Sequence, residues 1–296
     1  MRVNRRELLM MGTMGTVLGA AKPGEATILA DGPPAELKIS SQEGIIPGAD
    51  LPEKLANMEK WGIRGIEFGG RGLADRVPEI QAALKNSPVR VSAICAGFDG
   101  ALISEQEAER EKARASIKHI LTAAGELGST GLIVVPAFNG QTKLDHVEGR
   151  KVLVEQLPEL GDHAKSCCTR LLLEPLNRKE AWFLRMLADA ASICRDVDHI
   201  CVAVMGDFYH MYIEETSDLG AFLSAGKYLH HVHLASITRK LPGQDERDYV
   251  QGFRGLKMIG YRDYCSFECG VVGEREVEIP KSVRFLRDQW EKARAA

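Results

Sequence analysis

The seven cysteines include no CxxC pair. Cys167 and Cys168 are adjacent and the others sit mostly inside apolar runs, so a disulfide framework is not indicated and most read as small core residues. The chain also lacks a polybasic patch. Its 38 Lys and Arg stand against 41 Asp and Glu, a net charge of −3 with a pI near 6.3. That removes the electrostatic footprint of nucleic-acid binding, and no nucleic-acid partner is expected. No GxGxxG follows the first strand-like run, which weakens a dinucleotide-binding sheet. No Pro/Gly/Ser-rich linker divides the chain after residue 35, and no short-period repeat is visible. What remains is a 296-residue chain, 45% hydrophobic and 27% charged, able to bury a sizeable core.

The N-terminus lacks an apolar run long enough to span a bilayer comfortably. Arg5–Arg6 precede an apolar stretch from Leu8 to Ala21 that contains Gly12, Gly15 and Gly19, short for a membrane helix. Small residues around Ala20–Ala26 offer cleavage sites. The pattern resembles a twin-arginine export signal. Residues 1–30 are therefore expected to be a signal peptide and linker, and the folded domain to occupy 35–296. The expected location is periplasmic or exported, or cytoplasmic if the leader is not a signal. No stable membrane anchor is expected after its removal.

Beyond the leader, β-rich apolar runs alternate with longer amphipathic ones. Strands are expected at 36–40, 65–68, 89–95, 131–136, 170–175, 201–207, 230–235 and 264–269. Their continuous apolar character suits parallel strands buried on both faces. Helix-like segments between them include 52–62, with a proline start and glycine stop, 104–128, 178–197 and 274–295. Pro280 is expected to break or start a helix in the last of these. The alternation predicts an α/β fold, a single (β/α)8 TIM barrel.

In such a barrel chemistry sits at the C-terminal strand ends. Strand five ends at Glu174, strand six at Asp207 with His210 beyond it, strand seven holds His231 and His233, and strand eight ends at Glu268. Each residue alone has a bland reading. Glu174 could pair with Arg178, Asp207 could cap the next helix, and His233 could be a core histidine. Four such residues on consecutive strands argue for convergence. Three unpaired carboxylates there would repel one another, and a divalent cation removes the conflict. Three carboxylates and one imidazole make a hard, oxygen-rich set suited to one Mn²⁺, Co²⁺ or Mg²⁺ ion. Cys95 and Cys269, with no base indicated beside them, read as wall residues. Trp182 and Phe208 fit either pocket lining or core.

The segments "LEPLNRKE", "GDFYHM", "HVHLAS" and "FEC" resemble those of the xylose isomerase-like barrels, within them the ketose 3-epimerase, hydroxypyruvate isomerase and inosose-processing branch. "GIEF", "VSAICAGF" and "GLIVVPAF" fit its second, third and fourth strands, so the resemblance covers most of 36–290. It implies that Glu174, Asp207, His233 and Glu268 bind the metal, and that Glu174 and Glu268 are also the catalytic acid/base pair. Glu180, His210 and Arg239 would contact substrate hydroxyls. The sequence departs from the family at Ser236, where an acidic residue is common, and after "PG", where Gln244 is followed by Asp245 and Glu246 in place of a common glycine. Both changes bear on substrate identity more than on the metal set.

A sugar with a carbonyl beside a hydroxyl can chelate a cation and lose its α-proton to give an enediolate. A Glu on each side of it allows isomerisation or epimerisation. A ketose or keto-sugar substrate is expected, and a homo-oligomer stays open. The alternatives are a lyase or dehydratase of a keto-sugar or keto-glycoside on the same site, and a non-catalytic exported sugar-binding protein. A multi-metal nuclease would need histidines at early strand ends. Glu67–Phe68 and Cys95–Ala96–Gly97 supply none.

Overall fold

The structure, a computed structural model, describes residues 34–294. The expected signal at 1–30 lies outside the described residues. Eight strands pair in chain order: β1 (Lys38–Gln42), β2 (Gly65–Gly69), β3 (Arg90–Cys95), β4 (Leu132–Val134), β5 (Leu171–Leu173), β6 (Val202–Asp207), β7 (Leu229–Leu234) and β8 (Tyr264–Phe267). All neighbours are parallel, and β8 pairs back onto β1, so the sheet closes. The helices between and around them are α1 (Leu51–Trp61), α2 (Leu73–Leu84), α3 (Glu107–Glu126), α4 (His146–Ser166), α5 (Leu187–Val197), α6 (Phe208–Glu214), α7 (Asp218–Ala225), α8 (Val250–Met258) and α9 (Arg275–Lys292). This is the single (β/α)8 barrel that the alternation predicts. Among the described residues, no helix is long and apolar enough to cross a membrane.

Local chemistry explains the boundaries. The Asp50 carboxylate accepts from the Glu53 amide and Pro52 lies in the first turn of α1. Gly62 at φ 73° then ends the helix in the left-handed conformation. Two expectations fail. Residues 178–197 are helical only from Leu187. Before it, the Asn177 side chain accepts from the Lys179 amide and donates to Glu180, and Arg178 and Arg185 both pair with Glu214. These side chains offer the backbone an alternative to helix and hold 177–186 as a loop. Pro280 neither starts nor breaks a helix, because α9 runs from Arg275 through it. The proline removes one bond, to the Glu276 carbonyl. Buried Ile279, Val283, Leu286 and Trp290 hold the helix on the barrel.

Strand alternation sorts the core into two layers. Outward positions such as Ile66, Phe68, Val204, Val232 and Phe267 pack under the helices. Inward positions Ala93, Ile133, Leu172, Ala203 and Met205 fill the barrel. Burying each large aliphatic chain contributes about 1.5–3 kcal/mol. Part of the interior is polar instead. Ser40, Ser92, Ser266, Glu67, His231 and His233 are all buried.

Candidate metal centre and active site

The same alternation carries the candidate residues inward. Glu174 follows Leu172 by two, Asp207 follows Met205, His233 follows His231, and Glu268 follows Ser266. Register then aligns them, with Asp207 opposite His233 and His233 opposite Ser266. Glu174, Asp207, His233 and Glu268 each bring a ligand atom within 4.8 Å of the others. His233 Nδ1 lies 3.2 Å from Glu268 Oε2 and 3.9 Å from Glu174 Oε1. Asp207 does cap the next helix, since its Oδ1 accepts from the Tyr209 amide at 2.7 Å. Its other oxygen faces the cluster. Arg178 pairs with Glu214, which leaves Glu174 to the cluster.

Electrostatics make the cluster costly on its own. Burial and the neighbouring Glu268 push Asp207 up to about 7, and the same two causes push Glu174 well up. Burial would also raise Glu268, but the charges of His233 and Arg239 hold it at about 2. Burial opposes charge on His233, yet Glu67 and Glu268 on either side raise it well above an ordinary imidazole. Asp207 Oδ2 and His233 Nδ1 are fully buried without a hydrogen-bond partner. Two orphaned donor atoms in a nest of carboxylates suit a divalent cation, which satisfies both and offsets the repulsion.

The three residues expected to meet substrate border this cluster. Arg239 Nη2 lies 2.6 Å from Glu268 Oε2 and 3.9 Å from Asp207 Oδ2, and its Nη1 is 3.9 Å from Glu180 Oε1. The guanidinium stacks on Tyr209, 4.7 Å from the ring centre. Arg239 sits at φ 55°, a left-handed conformation that is strained for a residue with a side chain. His210 is buried and pushed down to about 3 by desolvation and Arg239, so it is neutral. Its Nδ1 accepts from the Asn177 amide at 3.1 Å and from the Asn177 side chain at 2.8 Å. That places the ring proton on Nε2, which lies 3.5 Å from Asp207 Oδ2.

Sequence reasoning passed over Gln42, Glu67 and Asn177. Gln42 Nε2 donates to Glu67 Oε1 at 2.9 Å and Glu268 Oε1 at 3.1 Å. Burial would raise Glu67, but hydrogen bonds and charge from His233 and His231 hold it far below the carboxylate range. In "GIEF", a carboxylate within an apolar strand was the available signal. Asn177 carried a weaker one, a buried amide three residues beyond Glu174. Phe208 belongs to the core, packed edge-on to Phe222, Tyr249 and Phe253. Trp182 packs on His146 and Phe183. Cys95 stands in the wall, its Sγ 3.8 Å from Glu268, with its thiol pushed up by burial. The departures at 236 and 245 meet each other. Asp245 accepts from the Thr238 amide and hydroxyl, and the Ser236 hydroxyl accepts from the Lys240 amide. Together they tie down the loop that presents Arg239.

Comparison with known proteins places the chain in a family. The sequence matches the family described as xylose isomerase-like TIM barrel over residues 55–289. It is 32% identical over 261 residues to the 3-dehydro-D-guloside 4-epimerase of Escherichia coli (strain K12), covering 85% of this chain and 99% of that one. It is 38% identical to the D-psicose 3-epimerase of Ruminiclostridium cellulolyticum over 108 residues, 36% of this chain and 37% of the relative. The crystal structure of 3-keto-D-glucoside 4-epimerase from E. coli superposes with a TM-score of 0.79 at 29% identity, over 86% of this chain and 100% of that one. The chain belongs to the xylose isomerase-like TIM barrel family, in its sugar isomerase and epimerase branch, and is an isomerase-class enzyme.

Proposed function

We propose that the protein is a divalent-metal-dependent epimerase of a keto-glycoside or free ketose, with Glu174 and Glu268 as its acid/base pair. The observation that carries this reading is their placement. They come from β5 and β8, flank Asp207 and His233 on the two strands between, and lie in the same four-residue cluster. The keto-glycoside has precedence because the relative matched along 99% of its length acts on a dehydro-guloside.

Glu174, Asp207, His233 and Glu268 would hold one Mn²⁺, Co²⁺ or Mg²⁺ ion. Bound there, a divalent cation supplies Lewis acidity that polarises a sugar carbonyl and offsets the negative charge developing on its oxygen. One glutamate takes the proton from the carbon beside that carbonyl, giving an enediolate. The other returns a proton to the opposite face, and the roles exchange in the reverse reaction. His210 donates Nε2–H to a substrate oxygen, and Asn177 prevents the ring from turning. Arg239 adds charge-assisted donors, and Glu180 accepts from a hydroxyl.

The test is proton exchange in D₂O, with metal supplied, across a panel of 3-keto-glycosides and ketoses. Deuterium at the α-carbon together with a new epimer is expected for at least one member. A panel that returns no exchange would reject the reading. Within it, His210→Asn is expected to retain metal and measurable turnover while raising KM, since it removes a positioning donor and not a proton carrier. Steady-state kinetics and metal analysis of the variant check this.

Export is proposed on the leader alone. Replacing Arg5 and Arg6 with Lys is expected to keep the protein in the cytoplasm, read by fractionation and N-terminal sequencing. Unchanged periplasmic delivery, or a mature chain that keeps residues 1–25, counts against it.

A further inference from the structure

Behind the proposed metal ligands lies a second group that the epimerase reading does not use. Glu67, on β2, is 1% exposed, yet it is a carboxylate. Three side chains converge on it. His231 Nε2 lies 2.8 Å from its Oε2, and His233 Nε2 lies 3.0 and 3.2 Å from its two oxygens. Gln42 Nε2 lies 2.9 Å from Oε1, and the same nitrogen reaches Glu268 Oε1 at 3.1 Å.

A buried carboxylate is tolerated when its lone pairs are filled by donors. Because it only accepts, each contact places a hydrogen on the partner, so both histidines carry their proton on Nε2. For His233 this leaves Nδ1 as the atom that faces Glu174, Asp207 and Glu268, the one that would be bare when a cation is bound. His231 meets the His233 ring nearly at right angles, 84° between planes and 5.2 Å between centres, and keeps it upright. Glu67, His231 and His233 could also be counted as a metal-binding trio. Their facing atoms are already joined to one another at hydrogen-bond distances, which makes the trio a support.

We propose that Glu67 is the positioning residue of the metal centre. It fixes His233 in the tautomer whose Nδ1 faces the ion, and through Gln42 it sets the orientation of Glu268. This rests on the metal-dependent reading above. An ionised carboxylate behind a ligating imidazole also strengthens it as a donor, and losing such a partner typically weakens metal binding about 10–100-fold. Both oxygens of Glu67 are taken up by His231, His233 and Gln42, so the effect would travel through His233 and Gln42.

Mn²⁺ titration of the metal-stripped protein, read by the EPR signal of free ion, tests it. Glu67→Gln is expected to weaken Mn²⁺ binding about 10–100-fold, because an amide presents hydrogens toward donors. Glu67→Asp, which keeps the charge, is expected to recover part of the loss. Glu67→Gln that binds Mn²⁺ as tightly as the parent, with only a lowered melting temperature, overturns the proposal and leaves the metal reading intact. A parent protein that binds no Mn²⁺ overturns the metal reading itself. Should Glu67→Gln fail to fold, the parent answers through ¹⁵N-histidine NMR of the Mg²⁺-loaded form. A proton on His233 Nε2 and a bare Nδ1 support the proposal, and the reverse tautomer overturns it.

Discussion

Glu268→Gln is expected to slow α-proton exchange from D₂O by about 10²–10⁴-fold or more, even at saturating metal. The substitution removes a carboxylate that the proposed mechanism uses as a base and that lies in the four-residue cluster, 3.2 Å from His233 Nδ1 and 2.6 Å from Arg239. Losing the base alone accounts for that range, and weakened metal binding adds to it. The contrast with His210→Asn is informative. His210 Nδ1 already accepts two hydrogen bonds from Asn177, and the ring is pushed down to about 3 by desolvation and Arg239. It therefore has no free lone pair for a substrate proton near neutral pH. If Glu268→Gln exchanged the α-proton at close to the parental rate with metal bound, the two-glutamate mechanism would be wrong. His210 would not inherit the role, and the base would have to be Glu174 acting alone.

The parts of this site legible in the sequence are those set by strand periodicity. Continuous apolar runs that end in Glu174, Asp207 and Glu268 mark both the strand and the direction of its last side chain, because alternation fixes the face once the interior is known. The helical pattern was a weaker guide. Apolar residues in 178–186 continue the spacing of α5, yet Asn177, Arg178 and Arg185 make side-chain bonds to Glu180 and Glu214 that no periodicity reports. Pro280 misled for a related reason, since one missing amide bond counts for less than the buried face of α9. Glu67 and Gln42 were hidden differently. Gln42 reaches Glu268 because closure makes β1 and β8 neighbours, and Glu67 reaches His231 and His233 across the barrel interior, between strands that never pair. The supporting shell of a site is tertiary information, whereas the inward strand tips are local.

The stabilisation conferred by a divalent cation is expected to grow with pH, and the apparent Mn²⁺ affinity to fall about tenfold per pH unit for each proton displaced, below roughly pH 7. Burial and Glu268 raise Asp207 to about 7 in the metal-free site, and Glu174 and His233 are raised as well. All three offer atoms the ion needs bare, so protons compete with metal most strongly at acid pH. The sign for the metal-free fold follows from the same shifts. Asp207 has an ordinary value of 3.8, so the folded state holds a proton that the unfolded chain releases as pH climbs from there. Stability from this group is present at low pH and is lost as pH rises through about 7. His233, raised above 6.5, loses its contribution in the same direction. Glu268, held at about 2, acts oppositely, but its contribution is lost only as pH falls below its ordinary 4.5. Across neutral pH the metal-free protein should therefore weaken while the metal-bound form, its carboxylates neutralised by the ion, does not. Scanning calorimetry with Mn²⁺ and with EDTA, at about pH 5.5 and about pH 8, measures the difference. A melting-temperature gain that is equal at the two values, or larger at the acid one, would show that Asp207, Glu174 and His233 do not meet the ion together.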